Sequence, residues 1–351
     1  KILFILFPFL LIGQSTIHFT EPVKKLSTEL SIYVDETGKQ SFENVRNKPF
    51  EKNESEIINL LYTDNTVWLK FNYQYEGKEA LYLEQKNWYI NTFNVYLTKD
   101  DTLFSTHNHG SFLPVSERDV QNKNIIIPLP KSQDVITVYL ELSTKQLMEI
   151  GLTLYTESAF MEKDRDEQMF FGLFYGSILI IIVFNAFLYA SFKDKNYFYY
   201  ILYLISVGLF IFAFNGLALE YLWTHSPNWN IQSILFLGYT TILLLHIFTK
   251  LFLNIKEYSK KLNDIFSYFI YIDLGLLLSS FYLSYGLSEQ IMMGFVAISL
   301  LFILSISFIR LKTNYTPARF FFAAWITFIV GTLMLILRGV GVLPTNIITQ
   351  H

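Results

Sequence analysis

The stretch MFFGLFYGSILIIIVFNAFLYASF, Met169–Phe192, decides how the rest of this chain is read. It holds no charged residue, and its length is close to the roughly 20 residues that a helix needs to cross the hydrocarbon core of a bilayer. Five further apolar runs follow at about 197–219, 230–253, 265–285, 290–309 and 318–337. Lipid offers no partner for a free backbone amide, so the runs predict an α-helical transmembrane bundle over 169–338 with six spans. With 52% apolar and only 16% charged residues among 351, the chain is too apolar for an ordinary soluble domain, and the excess lies in this half.

The loops give the bundle a direction. Lys193 and Lys195 follow the first run, Lys250, Lys256, Lys260 and Lys261 the third, and Arg310, Lys312 and Arg319 the fifth. The connections 220–229 and 284–289 carry neither Lys nor Arg, and Arg338 is the only cation after the sixth run. Basic residues stay on the cytoplasmic side, which puts the N-terminal part outside and the protein in the cell (inner) membrane as a multi-pass chain. Residues 1–15, one Lys followed by an apolar stretch and Gly13-Gln14-Ser15, have the shape of a secretory signal peptide and point the same way. Tyr197, Tyr199, Tyr200 and Tyr203 at one end, and Trp223 and Trp229 at the other, fit interfacial aromatic belts. The missing initiator Met and an end soon after the sixth run predict a fragment: 339–351 is an outer loop, and a seventh crossing lies beyond His351.

Residues 20–160 read differently. Val67, Leu69, Phe71, Tyr73 and Tyr75 alternate with polar or outward residues, the period of two of a half-buried strand. Phe93, Val95 and Leu97 repeat the pattern, as do Ile136, Val138, Leu140 and Leu142, and turn-rich pieces such as Lys99-Asp100-Asp101 punctuate it. Several such strands predict an extracytoplasmic antiparallel β-sandwich sensor domain. The charged run within 161–168 reads as a solvated juxtamembrane linker.

Candidate ligand contacts in this domain are Trp68, Trp88, Tyr89, His107, His109 and Arg118, because aromatic faces and planar donors suit sugars and other polar organic molecules. Core packing competes for Trp68 and Trp88. His107-Asn108-His109 resembles half a metal site, but no acid or third His follows at close spacing, so a polar loop is the expectation and no metal is assigned. In the bundle, His246 and Asp273 fall at similar depth in the third and fourth runs, some 10 to 12 Å (about 1.5 Å per residue) from the inner ends. Ionisable groups in lipid are costly, so the two form a candidate polar switch between neighbouring helices. Asn185 and Asn215 are candidates for interhelical hydrogen bonding.

Several function classes fall away. The 27 basic against 30 acidic residues give a net charge of -3, with no field to attract nucleic acid. No cysteine is present, so disulfides, thiolate metal sites and Cys nucleophiles are excluded. No cofactor motif and no catalytic constellation occurs.

The order of features resembles the bacterial seven-transmembrane receptors with diverse intracellular signalling modules (7TMR-DISM), in the branch with the type 2 extracellular domain. In the outer part the resemblance rests on Val67-Trp68-Leu69-Lys70-Phe71, Gly110 with Pro114 and Arg118, Ile127-Pro128-Leu129, Val138-Tyr139-Leu140 with Ser143, and Ala159-Phe160. In the membrane part it rests on Gly172, Tyr175-Gly176, Asn185, Tyr189, Tyr200, Tyr203 and Gly216. It continues through Pro317-Ala318-Arg319, Ala324-Trp325, Gly331, Leu337-Arg338 and Leu343-Pro344. It implies a jelly-roll-like sandwich related to carbohydrate-binding modules, a seven-helix bundle, and a cytoplasmic histidine kinase, diguanylate cyclase or phosphatase module in cis or in trans. The partners expected are the lipid bilayer, an extracytoplasmic ligand of carbohydrate-like type and that module, with a homodimer allowed. The alternatives are a polytopic transporter, an intramembrane enzyme or an envelope protein-docking membrane protein. Paired midplane polar groups and convergent catalytic groups are scarce here, which counts against the first two.

Overall fold

The computed structural model describes residues 16–56 and 58–339, with side chains through 327. The signal-peptide stretch 1–15, the outer loop from 340 on and the expected seventh crossing lie outside the described residues. The chain divides into two compact units. One takes the chain through Tyr175 together with Ile211–Ile231, and the other takes Gly176–Phe210 and the chain from Gln232 on.

The first unit is built on strands. In chain order they are β1 (Thr16–His18), β2 (Val23–Lys25), β3 (Ser31–Asp35), β4 (Glu51–Lys52), β5 (Ile58–Tyr62), β6 (Thr66–Tyr75) and β7 (Leu81–Gln85). After these come β8 (Thr92–Lys99), β9 (Thr102–His109), β10 (Ile125–Leu129), β11 (Ser132–Ser143), β12 (Leu147–Ile150) and β13 (Leu152–Thr156). A short helix, α1 (Phe42–Val45), separates β3 from β4. One sheet runs β4-β3-β6-β11-β8-β9, with β1 joining β6 in parallel; a second runs β10-β7-β13-β2; β12 and β5 form a pair.

The period of two seen in the sequence produces the core. Leu69, Phe71 and Tyr73 of β6, Val95 of β8 and Leu140 of β11 turn to one side and meet Leu83, Ile127 and Leu154 from the other sheet. Two sheets sharing one apolar interior make a β-sandwich. Each fully buried aliphatic or Phe side chain contributes about 1.5–3 kcal/mol, and with no cysteine in the chain this burial is the main cohesion. The opposite face of the larger sheet is covered as well: Trp68 and Tyr139 pack with Phe42 and Val45 of α1, and Tyr96 stacks on Phe42 at 4.6 Å.

The β8–β9 hairpin turns through Asp100 (φ 47°) and Asp101 (φ 58°), with Lys99 opposite Thr102. Positive φ at both central residues matches the twist of the flanking strands, and Asp tolerates it. The polar segment Thr102–His109 is thereby an edge strand, where a loop was expected around His107. Pairing with β8 supplies the order that its own composition does not.

The helices follow as α2 (Glu157–Phe192), α3 (Lys195–Phe214), α4 (Leu217–Tyr221), α5 (Pro227–Phe252), α6 (Ile255–Tyr258), α7 (Lys260–Ser279), α8 (Tyr285–Lys312) and α9 (Thr316–Gly339). Among the described residues five of them, α2, α3, α5, α7 and α8, are long and apolar enough to cross a membrane. The expected second run is cut short by Gly216, whose φ of +77° ends the helical path ahead of α4. In the second unit Leu245 and Phe248 of α5, Phe266 of α7, Ile303 of α8 and Phe321 of α9 form a buried cluster. Tyr200 and Tyr203, expected at the interface, pack their rings on Phe248 at 5.1 and 6.3 Å. Asn185 donates to the Ile181 carbonyl of its own helix at 2.8 Å, and Asn215, just past the end of α3, donates to the Ile211 carbonyl at 2.9 Å.

Candidate functional site

Within the first unit the start of α2 lies on the outer face of the four-stranded sheet. Side chains alternate along β7, so Leu81 and Leu83 enter the core while Tyr82 and Glu84 point away from it. Phe160 of α2 meets Tyr82 at 5.5 Å and Tyr155 of β13 at 6.3 Å. One turn on, Lys163 pairs with Glu84, a carboxylate only 2% exposed that also accepts from Asn124 Nδ2 at 2.7 Å. Glu167, a further turn on, pairs with Lys163 at 3.2 Å and Lys123 at 2.9 Å. The segment expected to be a solvated linker is thus helical and two-sided. Phe160, Lys163, Asp164 and Glu167 face the sandwich, whereas Glu162, Arg165 and Asp166 remain exposed.

The loop before β10 completes this junction. Arg118, 5% exposed, donates from Nη1 to the carbonyls of Asn122 (3.1 Å), Lys123 (3.2 Å) and Asn124 (3.4 Å). Burial pulls its guanidinium down to about 10, with the Glu220 carboxylate acting in the opposite sense. Lys123 N–H in turn donates to Glu220 Oε2 of α4 at 3.0 Å, and Asn122 Nδ2 donates to Asp164 at 2.9 Å. Burial raises the Glu220 carboxyl above its ordinary value. Trp88 Nε1–H donates to the Phe214 carbonyl at 3.0 Å, and a Cβ on Gly216 would come within 2.8 Å of the Trp88 ring. Sheet, loop, α2 and α4 are therefore joined by paired charges around a partly buried carboxylate cluster.

Of the sequence candidates, Trp68 is fully buried in the packing under α1, and Trp88 is 3% exposed and held by the junction just described. Arg118 is a loop staple. Tyr89 is half-buried, with its ring 6.1 Å from that of Trp88. His107 and His109 are brought together on one face of β9, opposite Val95 and Phe93. No acid follows them at close spacing in the sequence, and the fold brings one in from further along: Asp119 Oδ2 lies 2.6 Å from His107 Nδ1 and 3.1 Å from His109 Nε2. Asp119 stands ten positions after His109 and twelve after His107, so close spacing could not reveal the cluster.

In the second unit His246 and Asp273 are both fully buried, with Nδ1 to Oδ2 at 2.7 Å. The rings of Phe266, Phe269 and Phe295 surround the imidazole at 6.4, 5.2 and 6.2 Å. A sequence reading also misses Arg310, entered above only as a cytoplasmic charge. Its guanidinium lies 4.5 Å from the Tyr258 ring and 4.2 Å from the Tyr315 ring, and its Nε donates to the Leu253 carbonyl at 2.9 Å. The junction residues Glu84, Lys123, Lys163, Glu167 and Glu220 were missed too. Their one sequence signal is the spacing of Phe160, Lys163, Glu167 and Phe171, which marks a single face of a helix.

Comparison with known families gives two matches, one on either side of the first turns of α2. Residues 167–351 match the family described as 7TM diverse intracellular signalling. Residues 27–156 match the one described as 7TMR-DISM extracellular 2. No curated protein matches the chain.

Proposed function

This chain belongs to the 7TM diverse intracellular signalling family, as a multi-pass receptor with an extracytoplasmic sensor domain and a transmembrane signalling module, and we propose that its sandwich takes a polar, carbohydrate-like ligand and passes the event inward along α2. The observation that carries this reading is the continuity of α2. One helix runs from Glu157, directly after the last strand, to Phe192, and its first turns are tied by Lys163 and Glu167 to Glu84 and Lys123. A ligand acts only through its differential affinity for two arrangements of the receptor, and a tied helix is an element whose position such a preference can bias.

The sandwich in this reading is jelly-roll-like, and Tyr89 and His107 are the sequence candidates left with accessible surface for a ligand. The bundle uses α2, α3, α5, α7, α8 and α9 as six spans, and a seventh crossing beyond His351 leads to a cytoplasmic kinase, cyclase or phosphatase module. His246 and Asp273 serve as a bistable latch between α5 and α7. The residues present are those of a non-enzymatic receptor.

The absence of cysteine allows a clean test. A single probe on Lys195→Cys, in a chain that binds a ligand found by screening a glycan panel, reports whether the membrane part responds. Inserting Gly-Ser-Gly-Ser after Gln168 is expected to leave binding intact and abolish the probe's response. A response that survives the insertion removes α2 as the conduit.

A further inference from the structure

We infer that His107, His109 and Asp119 form a Zn²⁺-binding site on the edge of the sensor sandwich. Two imidazoles and one carboxylate offer donor atoms that all lie within 4.8 Å of one another. This is the set of nitrogen and oxygen ligands that a borderline divalent cation takes, and three protein ligands leave a fourth tetrahedral position open.

The geometry arises from three separate features. First, β9 is an edge strand, so residues two apart place both rings on one face with no further strand beyond them. Second, the turn after His109 is drawn tightly against the neighbouring chain. Gly110 has φ +151°, and a Cβ there would fall 2.0 Å from the Asn91 carbonyl oxygen, while Ser111 N–H donates to the Ile90 carbonyl at 2.7 Å. Third, Arg118 anchors the returning loop to the carbonyls of 122–124, which delivers the adjacent Asp119 to the two rings. The acid is thus positioned by a buried staple, as pre-organised sites require.

The surroundings favour a cation. Among the described residues no Lys or Arg pairs with Asp119; its carboxylate faces two imidazoles alone. Ser105 Oγ lies 3.1 Å from His107 Nε2, the nitrogen turned away from the acid. Without a metal the Nδ1 proton bridges to the Asp119 carboxylate; a cation that replaces it leaves the Nε2 proton to be accepted by the Ser105 hydroxyl, the tautomer a metal needs. The His109 side chain is 2% exposed, so the fold fixes its ring beside Asp119. The side chains of His107 and Asp119 keep 21% and 33% of their surface, an entry path for the ion.

The inference goes beyond the receptor reading, and its test does not depend on signalling. The whole chain, purified without a polyhistidine tag, stripped with chelator and held in nanodiscs, is titrated with Zn²⁺ against a chromogenic chelator. One saturable equivalent is expected, undisturbed by excess Ca²⁺ or Mg²⁺. His107→Gln and Asp119→Asn, both at partly exposed positions, should each weaken it at least about tenfold, the scale of loss seen even for groups behind the ligands. Co²⁺ provides a second readout: its visible d–d absorption should report a tetrahedral nitrogen and oxygen environment in the parent chain and vanish in Asp119→Asn. Absence of saturable binding, or equal affinity in parent and variants, overturns the site.

Discussion

Replacing Lys163 by Met removes the cation that faces Glu84 while keeping a long unbranched side chain. Glu84 is 3% exposed at its side chain and Lys163 19%, so the pair is largely withdrawn from water. Deleting one partner of a buried pair costs about 3–5 kcal/mol, because the other charge is left without compensation. Here Glu84 keeps the Asn124 Nδ2 bond at 2.7 Å, and the pair is open to solvent on the lysine side. The expected loss is therefore smaller, about 2–3 kcal/mol. Adding Glu84→Gln removes the stranded charge, and the double variant should return to within about 1 kcal/mol of the parent. Urea unfolding of the sensor unit in micelles, followed by the fluorescence of buried Trp68 and Trp88, measures each corner of the cycle. A Lys163→Met chain within about 0.5 kcal/mol of the parent, or a double variant no better than the single one, would refute a tied α2.

Gly216→Ala should destabilise the segment around α4 by about 2 kcal/mol, from a left-handed backbone and a Cβ pressed on Trp88, read as loss of hydrogen-exchange protection at 211–222. Unchanged protection there would contradict the contact. Asp273→Asn should shift basal receptor output by about 3- to 18-fold, the equivalent of the roughly 0.6–1.7 kcal/mol of an interhelical hydrogen bond in lipid. Unchanged output and ligand response would remove the latch. Glu220→Gln tests the pH dependence. Because burial raises the folded carboxyl, the folded state binds more protons than the unfolded one just above the ordinary Glu value of about 4.3, and stability there falls as pH rises. The Gln variant should flatten that slope; an identical pH profile would argue against the burial.

The strands and helices were legible because their periods are set by geometry alone. Leu69 to Tyr75 alternate in sequence and alternate in burial, and the run at Met169 is apolar because a bilayer-crossing helix has no wet face to provide. Site chemistry was less legible. Trp68 looks like a ligand platform in a list of residues, yet α1 folds over it and leaves it fully buried. The charges of 162–167 look like a solvated run, and only the helical spacing of Lys163, Asp164 and Glu167 separates the three that face the sandwich from the three that face water.

The sequence by itself determined a β-rich domain ahead of an apolar helical bundle, and the side of the membrane on which that domain lies. Periodicity, run length and the placement of lysines are local properties, readable one segment at a time. The tertiary structure alone decided which charges meet: Glu84 with Lys163, Asp119 with His107 and His109, Arg310 between Tyr258 and Tyr315. Such meetings depend on strand register and loop closure across tens of residues, and no local pattern encodes which distant side chain closes the distance.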